Sequence, residues 1–331
     1  MQDKIKHFFK DNFKIFIVFI IFFCFFSIEL PYYIETSGGI LNLEERLEVE
    51  NAYPVKGSFN MTYVSEMKAN IFTFLLSKIN RNYDLVKQEE MVNSNETEED
   101  LIFRSKLMLE EANNNAIILA YQKANKKINV INNTLYVTFV DELAKTDLKI
   151  GDEIISIDNI NINSKEEILD IISTKKEGDT INLTVLNNNE IKERKATLIT
   201  YDGNLLIGIM ITEKKEIETE QDIKFKFKKS ESGSSGGLMT SLAIYNYLIE
   251  EDITSGLKIS GTGTIDQYGN VGEISGVKYK LKGAVKDKAD LFIVPFGKNY
   301  DEALYEKEQN NYDIDIIGVK TFDEVLEYLQ K

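Results

Sequence analysis

One cysteine and one histidine in 331 residues leave little room for the commonest catalytic pairs and metal centres. Cys24 has no partner for a disulfide within the chain, and a Cys/His zinc cluster is impossible. Positive charge is also in deficit. Thirty-nine Lys and Arg stand against 54 Asp and Glu, a net charge of −15 that argues against a nucleic-acid partner, because phosphate binding needs clustered cations. No Gly-x-x-x-x-Gly-Lys-Ser/Thr loop occurs, so nothing points to an ATPase. No cofactor and no metal is expected. What the chain does have, 43% hydrophobic and 11% aromatic residues, is the composition of a folded protein, and its length allows two or three small domains.

The stretch Ile15–Ile28 is uncharged and holds six phenylalanines, with Lys4, Lys6, Lys10 and Lys14 before it and Glu29 and Glu35 after it. Fourteen residues are short for a span of about 20, and a signal-peptide core is the alternative. If Lys14 and Glu29 snorkel, the apolar segment extends through Leu30, Tyr32, Tyr33 and Ile34. No small-x-small cleavage signal follows closely. The expectation is a cytoplasmic stub over 1–14 and a single-pass transmembrane anchor over 15–34. The lysine asymmetry then places the remainder outside the cell membrane. On that topology Cys24 lies in the bilayer and His7 across it from everything else, so a hydrolase would need Lys, Asp or Glu as its base.

Residues 35–127 form a helical or mixed region on this reading. Helical spacing of Met67, Ile71, Phe74 and Leu75 predicts a helix over Val64–Ile79. Thr97-x-x-Asp100 is a capping-box-like start to a second helix over Thr97–Lys127, with the polar stretch Asn93–Glu99 as the loop before it. From Ile128 the pattern turns to short strands at Ile128–Ile131, Leu135–Val140, Glu153–Ile157, Thr180–Leu186 and Lys195–Thr200, with one helix, Lys165–Ser173. Within them, Leu148-Lys149-Ile150-Gly151-Asp152 feeds Glu153–Asp158. This segment resembles the signature of PDZ domains, so residues 128–200 are expected to form a PDZ-like β-rich domain. Gly151 suits a tight turn with positive φ, and Asp152 can hydrogen-bond its own turn. The resemblance implies peptide capture by strand addition. Asn132-Asn133-Thr134-Leu135 occupies the expected place of the carboxylate loop without its glycine-rich sequence. A purely structural module is the alternative.

Ser232-Gly233-Ser234-Ser235-Gly236-Gly237 leads directly into the helical run Thr240–Ile249. Small neighbours let a substrate backbone approach, and free N–H groups on a first helical turn can stabilise an oxyanion. Alone, such a cluster is as consistent with a linker or a phosphate-binding turn. Downstream come Gly261-Thr262-Gly263-Thr264 and Gly269-Asn270-Val271-Gly272-Glu273-Ile274-Ser275-Gly276-Val277-Lys278-Tyr279-Lys280. Together these segments resemble the proteolytic domain of the Lon family over residues 205–331. The resemblance makes Ser235 the nucleophile and Lys280 its base, 280 − 235 = 45 residues apart. It makes Thr262 the residue that orients the lysine. The family's proline and alanine around the serine are Ser234 and Gly236 here; Ser235 keeps the offset to Gly233 and Gly237, with Ser234 as the alternative.

The resemblance implies the following chemistry. An ordinary lysine titrates near 10.4, and burial in an apolar site disfavours its ammonium. Neutral Lys280 would take the Ser235 proton, Thr262 would hold the amine, and the Ser235 and Gly236 amides would form the oxyanion hole. Ser-x-x-Lys also occurs at 65–68, 173–176, 255–258 and 275–278, without the accompanying segments of penicillin-binding enzymes. Only the multi-segment match carries weight.

The expected whole is an α+β multidomain chain: N-terminal transmembrane helix, PDZ-like domain, Lon-type α/β proteolytic domain. It resembles the bacterial membrane-bound PDZ–Lon serine proteases. That family implies ATP-independent cleavage of exported peptides or small secreted and membrane proteins at the outer face. Its partners would be polypeptide substrates, the membrane, and other copies of itself, since Lon-type domains often form rings. A membrane-tethered PDZ adaptor with a degenerate protease domain is the alternative from another class. A signal-peptidase-type Ser/Lys enzyme would place its serine just beyond the anchor.

Overall fold

The computed structural model describes His7 and residues 10–92 and 96–330. Lys4 and Lys6, and Asn93–Asn95 of the expected loop, lie outside them. The chain divides into two compact units, one ending at Ser37 and resuming over Val64–Met91, the other made of Gly38–Tyr63 and the chain from Val92 onward. Two strands, β1 (Glu29–Asn42) and β2 (Ser58–Asn70), contribute residues to both.

In the first unit, helix α1 (Phe13–Ser27) precedes β1, and α2 (Ile71–Ile79) follows β2. β1 pairs antiparallel with β3 (Asp84–Lys87), from Tyr32↔Lys87 to Glu35↔Asp84. Helix starts later than the periodicity of residues 64–79 suggests, because the β-forming run Thr62-Tyr63-Val64 carries the strand on to Asn70. There a reciprocal cap begins the helix: the Thr73 amide donates to Asn70 Oδ1 at 2.8 Å, and the Asn70 amide to Thr73 Oγ1 at 2.9 Å. Phe26 on α1 packs its ring 5.0 Å from that of Phe72.

The transmembrane anchor expected over 15–34 is not supported. Among the described residues no helix is long and apolar enough to cross a membrane. α1 ends after 15 residues, a rise of about 22 Å against a hydrocarbon core of about 30 Å. The residues meant to lengthen it, Leu30 and Tyr32–Ile34, are strand instead. The single-pass topology falls with the anchor, as do the cytoplasmic N-terminus, the cell-membrane location and the membrane as partner. So does the argument that set His7 across a bilayer; His7 is exposed and pairs with Asp11 at 3.2 Å within the first unit.

The second unit holds a parallel sheet and a separate β-rich domain. Helix α3 (Glu98–Lys123) opens it with the predicted cap, the Asp100 amide donating to Thr97 Oγ1 at 3.1 Å. In the β-rich domain, β4 (Ile128–Val140), β5 (Glu153–Ile157), β6 (Thr180–Asn187), β7 (Glu190–Thr197) and β8 (Ile209–Thr219) form a sheet in the order β8-β4-β5-β6-β7, with helix α4 at Lys165–Ser173. The turn into β5 follows its sequence closely. Gly151 has φ +87°. The carboxylate of Asp152 is fully buried and satisfied, accepting from the Lys149 amide at 2.9 Å, Arg194 Nε at 3.0 Å and Asn187 Nδ2 at 2.7 Å. The sheet continues through Ile209–Thr219, beyond residue 200, and its interior is aliphatic, with Leu135, Ile157, Ile181 and Leu183 inaccessible.

The parallel sheet takes β2, then β9 (Lys258–Gly261), β10 (Leu291–Pro295) and β11 (Asp315–Val319), in the order β11-β10-β9-β2. One face packs against α3 and α5 (Gly237–Leu248), burying Phe59, Met61, Ile259 and Ile293 against Leu238 and Leu242. The other packs against α6 (Val277–Lys286) and α7 (Lys298–Asn310), burying Phe292 and Val294 against Val277, Leu281 and Ala284. Each such aliphatic side chain contributes about 1.5–3 kcal/mol when fully buried. Helix α8 (Phe322–Leu329) closes the chain.

Candidate functional site

Ser235 lies in the turn immediately before α5, half-buried, with Gly236 as the residue that opens the helix. Thr262 follows the end of β9 and is inaccessible to solvent. The two segments are joined at one atom. The carbonyl oxygen of Ser235 accepts from Thr262 Oγ1 at 3.0 Å and from the Gly263 amide at 2.8 Å. The sole hydroxyl hydrogen of Thr262 is therefore directed at the backbone of Ser235, and toward any amine its oxygen can act only as an acceptor. Among the described residues, the amides of Ser235 and Gly236 donate to no backbone carbonyl, whereas Gly237 donates to Ser234 O at 3.1 Å. Two adjacent N–H groups are thus left at the positive end of α5.

Gly236 lies against Met61. Its backbone is ordinary (φ −91°, ψ −5°), but a Cβ there would stand 2.8 Å from Met61 Sδ. Met61 on β2 fills the space that a side chain at 236 would need. Gly233 has φ +90°, which favours glycine, and its amide donates to Ser105 O on α3 at 2.9 Å.

Lys280 lies on α6 at 4% exposure, unusual for lysine. Val277, Lys280, Leu281 and Ala284 form the stripe that faces the sheet. Because α6 crosses between parallel neighbours β9 and β10, it runs opposite to them. Its N-terminal end therefore lies at the carboxyl ends of the strands, where Thr262 meets Ser235, and helical side chains lean toward that end.

A second site is an apolar cavity of about 550 Å³ in the β-rich domain, which sequence alone left unmarked. Ile168, Leu169 and Ile172 on α4 line one wall; Ile207, Ile209 and Ile211 line the other, with Asp141 and Lys165 also contributing. β8 is the terminal strand of its sheet; α3 bonds its outer edge at Glu213 and Lys215, which leaves the stretch Ile209–Ile211 beside the groove for strand addition. Asn132–Leu135, placed by sequence where the carboxylate loop would be, lies inside β4, paired throughout with β8 and at Leu135 also with β5. The glycine at the mouth of the groove is Gly208, with φ +86°; a Cβ there would lie 2.8 Å from Ala144 Cβ. Its apolar flanks, Leu206-Ile207 and Ile209, are the signal that could have marked it.

Helix α3 touches both sites. Glu111 Oε1 accepts from Lys165 Nζ at 2.6 Å and from the Glu213 amide at 3.1 Å, holding both walls of the groove. Asn114 Nδ2 donates to Lys215 O at 2.9 Å, and Lys106 Nζ donates to Glu231 O at 2.6 Å, just ahead of the serine turn. Burial pushes the Glu213 carboxyl up, but the Lys215 ammonium beside it and hydrogen bonds from Lys165 N and Asn133 outweigh this, and it titrates below its usual value.

The sheet order, the turn and the groove define a PDZ domain. Residues 110–198 match the family model described as PDZ domain, and PDZ domains bind peptides. Two curated relatives bear protease names. Lon protease of Campylobacter jejuni is 35% identical over 97 residues, 29% of this chain and 12% of that protein. Archaeal Lon protease of Halobacterium salinarum is 29% identical over 111 residues, 33% of this chain and 16% of that protein. The chain thus spans less than a fifth of the length of either. Among solved structures, the PDZ domain of the SdrC-like protein from Listeria monocytogenes is 28% identical, covering 25% of this chain and 92% of that one, at a TM-score of 0.23. The corresponding domain from Listeria innocua is 33% identical, covering 24% and 92%, at 0.22.

Proposed function

We propose that this chain is a serine endopeptidase that captures polypeptides in its PDZ groove and cuts them with a Ser235–Lys280 dyad, without ATP. The observation that carries the reading is the pinned Ser235 carbonyl. Thr262 Oγ1 and the Gly263 amide fix the turn from one side, and the Ser235 and Gly236 amides remain for a substrate oxyanion. The burial of Lys280 on the sheet-facing stripe of α6 and the similarity to Lon proteases add support.

In this mechanism Lys280 Nζ takes the proton of Ser235 Oγ, and the oxygen attacks the substrate carbonyl carbon. The resulting oxyanion is held by the Ser235 and Gly236 amides. The C–N bond then breaks as Lys280 returns the proton to the leaving amine. Water, deprotonated by Lys280, cleaves the acyl-enzyme and restores the serine.

The test is cleavage of casein by the wild type, Ser235→Ala, Lys280→Ala and Lys280→Arg. All three variants are expected to fold and to lose activity by at least a hundredfold. Arg does not rescue because it does not deprotonate. Retained cleavage by Ser235→Ala would sink the dyad. A wild type that binds peptide in the groove but cuts nothing would leave the adaptor reading.

A further inference from the structure

Two side-chain oxygens in the sheet beneath α6 have no hydrogen-bond partner among the described residues, Asn60 Oδ1 and Ser260 Oγ. Both residues are enclosed, at 1% and 0% exposure, and they are register partners across β2 and β9. An unpaired buried acceptor costs stability, so two side by side call for a reason other than stability.

Their face is fixed by alternation along the strands. Ile259, Leu291 and Ile293 pack toward α5, while Phe292 packs beneath Val277 and Leu281 of α6. Ser260 is the register partner of Phe292, so Ser260 and Asn60 lie on the α6 face. The helix comes close to the strands there: a Cβ on Gly283 would stand 2.8 Å from Gly39 O on β1. Lys280 occupies the same helical stripe, one turn beyond Val277. The sheet residues that meet α5, Phe59, Met61, Ile259, Leu291 and Ile293, are apolar, so the polar pair stands on the lysine's side.

We infer that Asn60 and Ser260 are positioning residues for Lys280, acceptors that hold its ammonium once the Ser235 proton has moved. The inference rests on the dyad reading. The proton leaves Ser235 Oγ for Lys280 Nζ and later passes to the leaving amine. Between these transfers the ammonium has three N–H groups to place. Asn60 Oδ1, Ser260 Oγ and the lone pairs of Thr262 Oγ1 supply acceptors for them. Other charged groups around α6 are Lys278 and Lys282 with Tyr279 on the helix, Glu302 on α7, and Lys258 with Asp287 and Asp290 at the foot of β9. The variants below leave all of them in place.

Ser260→Ala deletes an oxygen that bonds nothing, so it should fold with an unchanged or raised melting temperature. The expected result is a fall in kcat on casein of about tenfold or more at constant KM, with the acid limb of the pH–rate profile moved to lower pH. Asn60→Asp places a carboxylate against the ammonium and should move that limb the other way. A Ser260→Ala enzyme with wild-type kcat and pH profile overturns the inference while leaving the dyad intact. Absence of Ser235-dependent cleavage in the wild type overturns the dyad, and the inference with it.

Discussion

Replacing Thr262 with valine separates the two tasks that the proposed dyad gives one hydroxyl. Valine matches threonine in shape, so the inaccessible site between β9 and the serine turn stays filled. The Ser235 carbonyl would keep its 2.8 Å bond from the Gly263 amide and lose the 3.0 Å bond from Thr262 Oγ1. One neutral hydrogen bond contributes about 0.5–1.5 kcal/mol. For a unit of this size the melting temperature should drop by only a few degrees, about 2–4 °C per kcal/mol. Activity should fall much further. The Ser235 carbonyl shares its peptide plane with the Gly236 amide, so its bonds set that amide's direction, and on the proposed dyad the lost oxygen would also be an acceptor for Lys280. Oxyanion-donor losses run to about a hundredfold or more. Calorimetry paired with kcat/KM on casein measures both quantities. Thr262→Ser, which restores the hydroxyl, should recover most of the rate. A valine variant that loses two degrees and keeps its full kcat/KM would refute the reasoning, because the hydroxyl would then be no more than a structural bond.

Two further predictions concern the PDZ domain. Ile211→Asp places a charge on the groove wall and should weaken binding of a peptide with an apolar C-terminus by tenfold or more, read by fluorescence anisotropy, with the Ser235 turn undisturbed. The Glu213 carboxyl, held below its ordinary value near 4.5, contributes stability that is complete above that value and is lost as pH falls through the lowered one. Melting temperatures of wild type and Glu213→Gln should therefore differ at neutral pH and converge in acid; a constant difference would count against the Lys215 pairing.

How much of this was legible depended on how local the determining contacts were. Leu148–Asp158 announced its turn and strand because the positive φ of Gly151 and the bond from the Lys149 amide to Asp152 are local, whereas the Asn187 and Arg194 bonds to Asp152 were not legible. Lys165–Ser173 and the Thr97 cap were readable for the same reason. The serine turn was readable in position but not in packing: Gly236 lies against Met61, 175 residues earlier (236 − 61). The segment after Ser27 misled because apolar composition is shared by membrane helices and buried strands. What decides it is pairing of Tyr32–Glu35 with residues 84–87, which no periodicity displays. The groove escaped because its two walls, α4 and β8, are some 40 residues apart and its glycine resembles any other loop glycine.

The similarity to PDZ domains begins at residue 110, partway along α3, whereas the helix itself begins at Glu98 and bonds the serine turn through Ser105 and Lys106. The seam between the two modules therefore runs through the middle of a continuous helix rather than through a linker. A PDZ fragment cut at that seam would carry Glu111 on a frayed end, and the remainder would lose the α3 bonds to Gly233 and Glu231. Exchange of the PDZ module at such a border would therefore disturb both parts, because the helix that carries Glu111 also bonds the turn at Gly233.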